Sequence, residues 1–208
     1  MKKTSPKKLD LSTEEKIKHA AEKVFMEKGS SGARTRDIAE EAGMNLALLN
    51  YYFRSKENLF SLIMMEKLKV FFDVIIEILK DTEISLTEKL PRLVNKYTDL
   101  LITQPDLPMF LLSELKQNPD FFAEKLNVKE KLHQEVFKAL EKETNLQAKE
   151  EMVQMLVTFL GMTLFPFIVR EVMQNLFDIP EKKYAEMLNQ RRELIPAWTN
   201  EIIKMYLK

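Results

Sequence analysis

The sequence predicts an all-α fold, and three observations carry that expectation. Glycine is scarce, four in 208 residues, whereas strands joined by tight hairpins draw on glycine for their turns. Leu, Lys, Glu, Met and Ala are abundant, and all are good helix formers. Apolar residues recur at helical spacing, first at Ile17, Ala20, Ala21, Val24 and Phe25, which form a single stripe. The length leaves room for one or two domains with an ample core.

The elements follow in order. Residues 1–10, "MKKTSPKKLD", read as a flexible basic tail. No apolar stretch follows the lysines, so the tail is not a signal peptide. Ser12 caps a first helix and Glu15, three residues on, completes a capping box. Gly29 is placed to end that helix as its C-cap, and "SSGAR" reads as a loop. Thr35 is expected to cap a short second helix reaching Glu41, with Ile38, Ala39 and Ala42 inward. Gly43 supplies the left-handed residue that a tight helix-to-helix turn requires. Asn45 is a good cap for a third helix over 46–53, and Ser55 for a fourth over about 56–80.

Ser85 and Glu88 make a second capping box, opening a helix to about residue 103. A short helix near 109–116 comes next, then one near 119–143. A strongly apolar helix begins near 146 and is expected to be interrupted around Gly161 and Pro166. Pro180 suits the first turn of a final stretch, 182–207, bent by Pro196. The organisation expected is a tail (1–10), a three-helix head (11–55) and a larger helical body (56–208). No apolar run reaches the roughly 20 residues a membrane span needs.

The formal net charge is zero, but its distribution is uneven. Residues 1–56 hold twelve Lys/Arg against eight Asp/Glu, and the remainder twenty against twenty-four. The positive end coincides with two short helices joined by a glycine-containing turn, the sequence shape of a helix-turn-helix. Its chemistry suits DNA. Free backbone N–H groups at helix N-termini bind phosphate, as do the side chains of Thr35, Asn45, Arg36 and Lys56 and the hydroxyls of Tyr51 and Tyr52. On the third helix, Ala47 and Leu48 suit thymine methyls and Asn50 suits the N6/N7 edge of adenine. Leu49 and Phe53 face the core. Arg54 reads as a solvated charge. Lys2, Lys3, Lys7 and Lys8 read either as a solubilising tail or as contacts along phosphates or in a minor groove.

The stretch "TEEKIKHAAEKVFMEKGSSGARTRDIAEEAGMNLALLNYYFRSKENLF" resembles the TetR family of bacterial transcriptional regulators. The matching motifs are "AAEKVFMEKG", "TRDIAEEAGM" and "YYFRSKENLF", within about 50 contiguous residues. The third helix departs from the commonest family pattern, since Leu48, Leu49 and Asn50 replace a small or hydroxyl residue followed by Leu-Tyr. The resemblance implies a cytoplasmic homodimer, most often a repressor, that leaves a palindromic DNA operator when a small molecule binds its body. It places operator contacts at Thr35, Arg36, Asn45, Leu46, Ala47, Leu48, Asn50, Tyr51, Tyr52 and Lys56. It implies dimerisation through the helices near 146–175 and 182–207, with Met152, Met155, Leu156, Phe159, Leu160 and Ile202 as either interface or internal core. The fourth helix would couple effector to DNA.

The aromatic and Met side chains of the middle helices of the body read either as plain core or as an effector pocket that would take a small apolar molecule. Its candidate residues are Phe110, Phe122, Phe159, Phe165 and Arg170, the last suited to a ligand carboxylate or to a surface salt bridge. No cofactor or metal is expected: the chain has no cysteine, and His19 and His133 stand apart. An enzyme is disfavoured by the same poverty of nucleophiles and bases and by the lack of a Gly-rich phosphate loop. The remaining alternative is a helical adaptor whose head binds protein and has lost DNA binding.

Overall fold

The computed structural model describes residues 12–81, 83–117, 137–145 and 149–205. Among them the backbone forms ten helices and no extended strand. The chain divides into two compact units, residues 1–66 and 67–208.

The head is built from α1 (Thr13–Gly32), α2 (Thr35–Glu41), α3 (Leu46–Phe53) and the beginning of α4 (Lys56–Leu79). Ser12 caps α1: its Oγ accepts from the Glu15 N–H, and the Glu15 carboxylate accepts from the Ser12 N–H at 2.8 Å. The expected stripe of α1, Ile17 to Phe25, is buried, as are Ile38 and Ala39 of α2, Leu49 and Phe53 of α3, and Leu59 and Ile63 of α4. Phe25 and Phe60 meet edge to face at 5.0 Å. Each large side chain buried in this way contributes about 1.5–3 kcal/mol, which is what holds three short helices together.

Two expectations about the head need correction. Gly29 interrupts the helix as expected, with φ 68° and ψ 173°, but the residues after it are not all loop: the chain makes one more turn to Gly32, closed by the Ala33 N–H on the Gly29 carbonyl. Thr35 is the first residue of α2 rather than its cap; Arg34 holds the cap position. The Asp37 carboxylate accepts from the Arg34 N–H at 3.2 Å, satisfying a donor the helix start leaves open.

The body comprises the rest of α4, then α5 (Leu86–Thr103), α6 (Leu107–Gln117), α7 (Lys138–Glu143), α8 (Lys149–Ile168), α9 (Arg170–Leu176) and α10 (Glu181–Lys204). Ser85 and Glu88 form the expected capping box of α5. Tyr97 is fully buried and donates to the Phe71 carbonyl at 3.0 Å, and burial pushes its phenol well up. α10 lies along α5: Arg192 donates to the Asn95 carbonyl at 3.0 Å and to Asp99 at 2.6 Å. Leu101, Phe167, Tyr184 and Leu188 form a core cluster beside them.

α8 runs unbroken through Gly161 and Pro166, against expectation, and the break comes at Val169. Proline has no N–H, so Pro166 cannot bond the Met162 carbonyl one turn earlier. Arg191 of α10 takes that carbonyl at 2.7 Å, and the Tyr184 hydroxyl donates to the Pro166 carbonyl at 2.6 Å. Two side chains of a neighbouring helix thus answer the carbonyls that the proline and the break leave open. α10 likewise continues through Pro196, and Pro180 is its N-cap rather than its first residue.

One further correction concerns α8. Its 20 residues are long and apolar enough to cross a bilayer, and only 22% of that stretch is buried. The expectation that no such run exists was wrong. Charged residues cluster at its start, and its middle is apolar on every side.

Candidate nucleic-acid interface

The turn between α2 and α3 is set by a glycine. Gly43 has φ 65°; its N–H bonds the Glu40 carbonyl at 3.0 Å, and the Met44 N–H bonds the Ala39 carbonyl at 2.9 Å. That paired arrangement closes a helix with a left-handed residue, where a Cβ would be strained. Asn45 then starts α3, its Oδ1 accepting from the Leu48 N–H at 2.8 Å.

α3 presents two different faces. Leu49 and Phe53 are buried inward. Leu46, Ala47, Asn50 and Tyr51 are exposed, and their spacing puts them on one side of the helix; Arg54, just past its end, is exposed too. Tyr51 is 79% exposed and Tyr52 41%, their rings edge to face at 5.4 Å. α3 thus leaves an apolar, amide and phenol surface open to solvent.

Two carboxylates of α2 are paired with lysines of α1. Lys28 pairs with Asp37 at 2.9 Å and Lys23 with Glu41 at 2.7 Å. The Lys28 ammonium, helped by the Arg34 N–H, lowers the Asp37 carboxyl, and Glu41 raises the Lys23 ammonium. These pairs tie α2 to α1. Arg36 is exposed, and no described residue bonds its guanidinium.

Thr35 lies half-buried at the start of α2, and Leu48 is half-buried on α3. Lys56 has a different first task from the phosphate contact expected of it. Its Nζ is held by the Ser30 carbonyl at 2.9 Å and the Ala33 carbonyl at 3.1 Å, partly buried. It clamps the start of α4 to the end of α1.

Arg54, read from the sequence as a solvated charge, occupies an unusual turn. Its φ and ψ are 65° and −48°, and the Ser55 N–H reaches back to the Phe53 carbonyl at 2.7 Å. A three-residue turn of this hand is rare and costs a residue with a Cβ about 1–3 kcal/mol. The signal available in the sequence was the four-residue step from Asn50 to Arg54 on the helix surface.

The predicted effector residues do not converge. Phe110 is buried in α6 and Phe165 is 58% exposed. Arg170 is ion-paired with Glu181, and Phe122 lies outside the described residues. Phe159 does line a cavity of about 50 Å3, with Ile75, Leu79, Leu93, Met155 and Ile203 among its neighbours. Thr199 also lines it, but its hydroxyl is engaged by the Ile195 carbonyl at 2.6 Å. The cavity therefore offers a ligand no free hydrogen-bond donor. Among the described residues no cluster could hold a metal ion.

Comparison with known proteins gives this geometry a context. Residues 17–63 match the model of "Bacterial regulatory proteins, tetR family". The chain is 41% identical over 51 residues to "Probable HTH-type transcriptional regulator YttP" of Bacillus subtilis (strain 168). That match spans 24% of this chain and about a quarter of YttP's length, 25%. A TetR-like transcriptional regulator from Rhodococcus sp. RHA1 shares the fold, with a TM-score of 0.61 at 18% identity, covering 91% of this chain and 96% of that one. The fatty acid degradation regulator FadR of Bacillus halodurans does so with a TM-score of 0.59 at 21% identity, covering 94% and 97%. The head motifs, the helix-turn-helix built from them and the all-helical architecture agree, and over residues 17–63 the chain matches the tetR family of bacterial regulatory proteins.

Proposed function

We propose that the chain is a homodimeric, ligand-responsive transcriptional regulator, most simply a repressor, acting in the bacterial cytoplasm. In this reading the head binds a palindromic operator, and a small apolar effector bound in the body releases it. The observation that carries the reading is the outer face of α3, where Leu46, Ala47, Asn50 and Tyr51 stand exposed while Leu49 and Phe53 anchor the helix from behind. A helix of this width fits a major groove. Thr35, Arg36, Asn45 and Tyr52 lie at the helix starts and rim, suited to phosphates. Leu48, being half-buried, contributes its side chain more to the edge than to the centre of that face.

The experiment is comparison of wild type and Asn50→Ala on operator variants. Loss of the amide is expected to relax preference at one base pair by about 1–3 kcal/mol while leaving the other positions unchanged. If affinity drops without any change in preference, Asn50 does not read a base.

The dimer face is proposed on α8 and α10. Val153, Val157, Gly161 and Phe165 recur every fourth residue on α8 and are all exposed. On α10, Met187, Leu194 and Trp198 are exposed at steps of seven and four, which also keeps them on one side of the helix. Nothing lies within 4 Å of where a Cβ on Gly161 would be, so a partner helix can approach closely there. Met152 and Phe159, by contrast, are buried within the body, and Met155 and Leu156 line the cavity, so these four serve the core. Leu160 and Ile202 are half-buried at the edge of the face.

The effector is proposed to insert an apolar group into the cavity beside Phe159. Met155, with its flexible thioether chain, is suited to move as the space widens. Benzene at saturation is the probe. It is expected to raise the melting temperature, since a ligand that binds only the folded state stabilises it, and reciprocity requires operator affinity to change with it. An unchanged melting temperature would remove this cavity as the effector site.

A further inference from the structure

We propose that Arg54 is a DNA backbone contact, its guanidinium binding a phosphate at the end of the α3 face. This rests on the DNA-binding reading of the head. The backbone explains why the residue sits where it does. The Arg54 N–H closes the last helical bond of α3, on the Asn50 carbonyl at 2.9 Å. Ser55 is already the cap of α4, its Oγ accepting from the Asn58 N–H at 3.1 Å. One residue is left to reverse the chain, and it must take φ 65° and ψ −48°.

Glycine adopts such a conformation freely. Among the described residues only Arg54 and Asp178 hold a positive φ without being glycine. Strain kept at one position is a pointer to what the side chain does there. The Arg54 side chain is exposed, and no described residue bonds it. It follows the last residue of α3, one turn beyond Asn50, and so lies at the C-terminal end of the helix that carries Leu46, Ala47 and Tyr51. A guanidinium there offers paired donors that match two phosphate oxygens. Its place past the end of the helix suits the flanking backbone rather than the groove floor.

The test uses the full chain, on its selected operator duplex, with Arg54→Gly, Arg54→Ala and Arg54→Lys. Melting temperature, affinity across salt concentrations and base preference are read for each. Arg54→Gly is expected to melt above Arg54→Ala, because only glycine relieves the turn. Both should bind about tenfold more weakly than wild type, with a salt slope lower by about one and an unchanged base preference. Arg54→Lys should keep most of the slope. If Arg54→Gly binds as tightly as wild type with the same slope, Arg54 is idle and the proposal fails while the head reading stands. A shift of base preference at one position would overturn the phosphate assignment in favour of a base contact. If wild type itself shows no salt-dependent binding, the head reading fails and this proposal falls with it.

Discussion

Val157→Glu is expected to turn the protein into a monomer and to reduce operator binding by at least a hundredfold, with the body still folded. Val157 is 62% exposed in the single chain, so the new carboxylate meets water there and the fold bears little cost. In the proposed dimer the residue lies in the middle of the α8 stripe, between Val153 and Gly161. Two-fold symmetry then buries one carboxylate from each copy in an apolar seam. Burying unpaired charges costs several kcal/mol, and each 1.4 kcal/mol is about tenfold in the dimer constant. A monomer engages one half-site and loses the avidity of the pair, a factor of about 10²–10⁴. Sedimentation and operator titration read the two effects, with melting temperature as control. A variant that stays dimeric would place the interface elsewhere and leave the exposure of α8 without this explanation.

Lys56→Ala is expected to destabilise the head by about 2–3 kcal/mol, because it removes two charge-assisted hydrogen bonds and leaves partly buried carbonyls without their donor. Those carbonyls, Ser30 and Ala33, are 26 and 23 residues away in the chain. Operator affinity then falls through the loss of folded head, and the salt slope of what still binds is unchanged. A phosphate contact predicts the opposite pair: normal stability and a slope lower by about one. Thermal melts with affinity measured at three or more salt concentrations separate the two. Normal melting with a lowered slope would return Lys56 to the set of phosphate ligands.

The two lysine readings show which features a sequence can display. The caps at Ser12, Asn45, Ser55 and Ser85 were legible because a cap and its N–H donor lie three residues apart. Gly43 was legible for the same reason: a left-handed turn between two short helices calls for that residue type. The Lys56 clamp and the continuity of α8 through Pro166 were not, since Arg191 reaches back 29 residues to the Met162 carbonyl. Propensity says that proline ends a helix; a distant side chain decided otherwise.

The outer face of α3 was mostly readable, from Leu49 and Phe53 inward and Asn50 and Tyr51 outward. Arg54 showed only as the next four-residue step after Asn50; the strain that singles it out is a backbone angle that no residue pattern encodes. On α8 apolar residues stand on every side beyond the first turn, so periodicity cannot say which side faces the body. Met152 and Phe159 turn out inside, and Val157 and Phe165 outside.

The most direct test is selection of binding sites from random duplex DNA by the full-length protein at two salt concentrations. The account predicts a palindrome, with half-sites spaced to match a two-fold dimer and an affinity that falls steeply with salt as phosphate contacts release counterions. Recovery of no motif at either salt would contradict it, and would favour a head that binds protein instead of DNA.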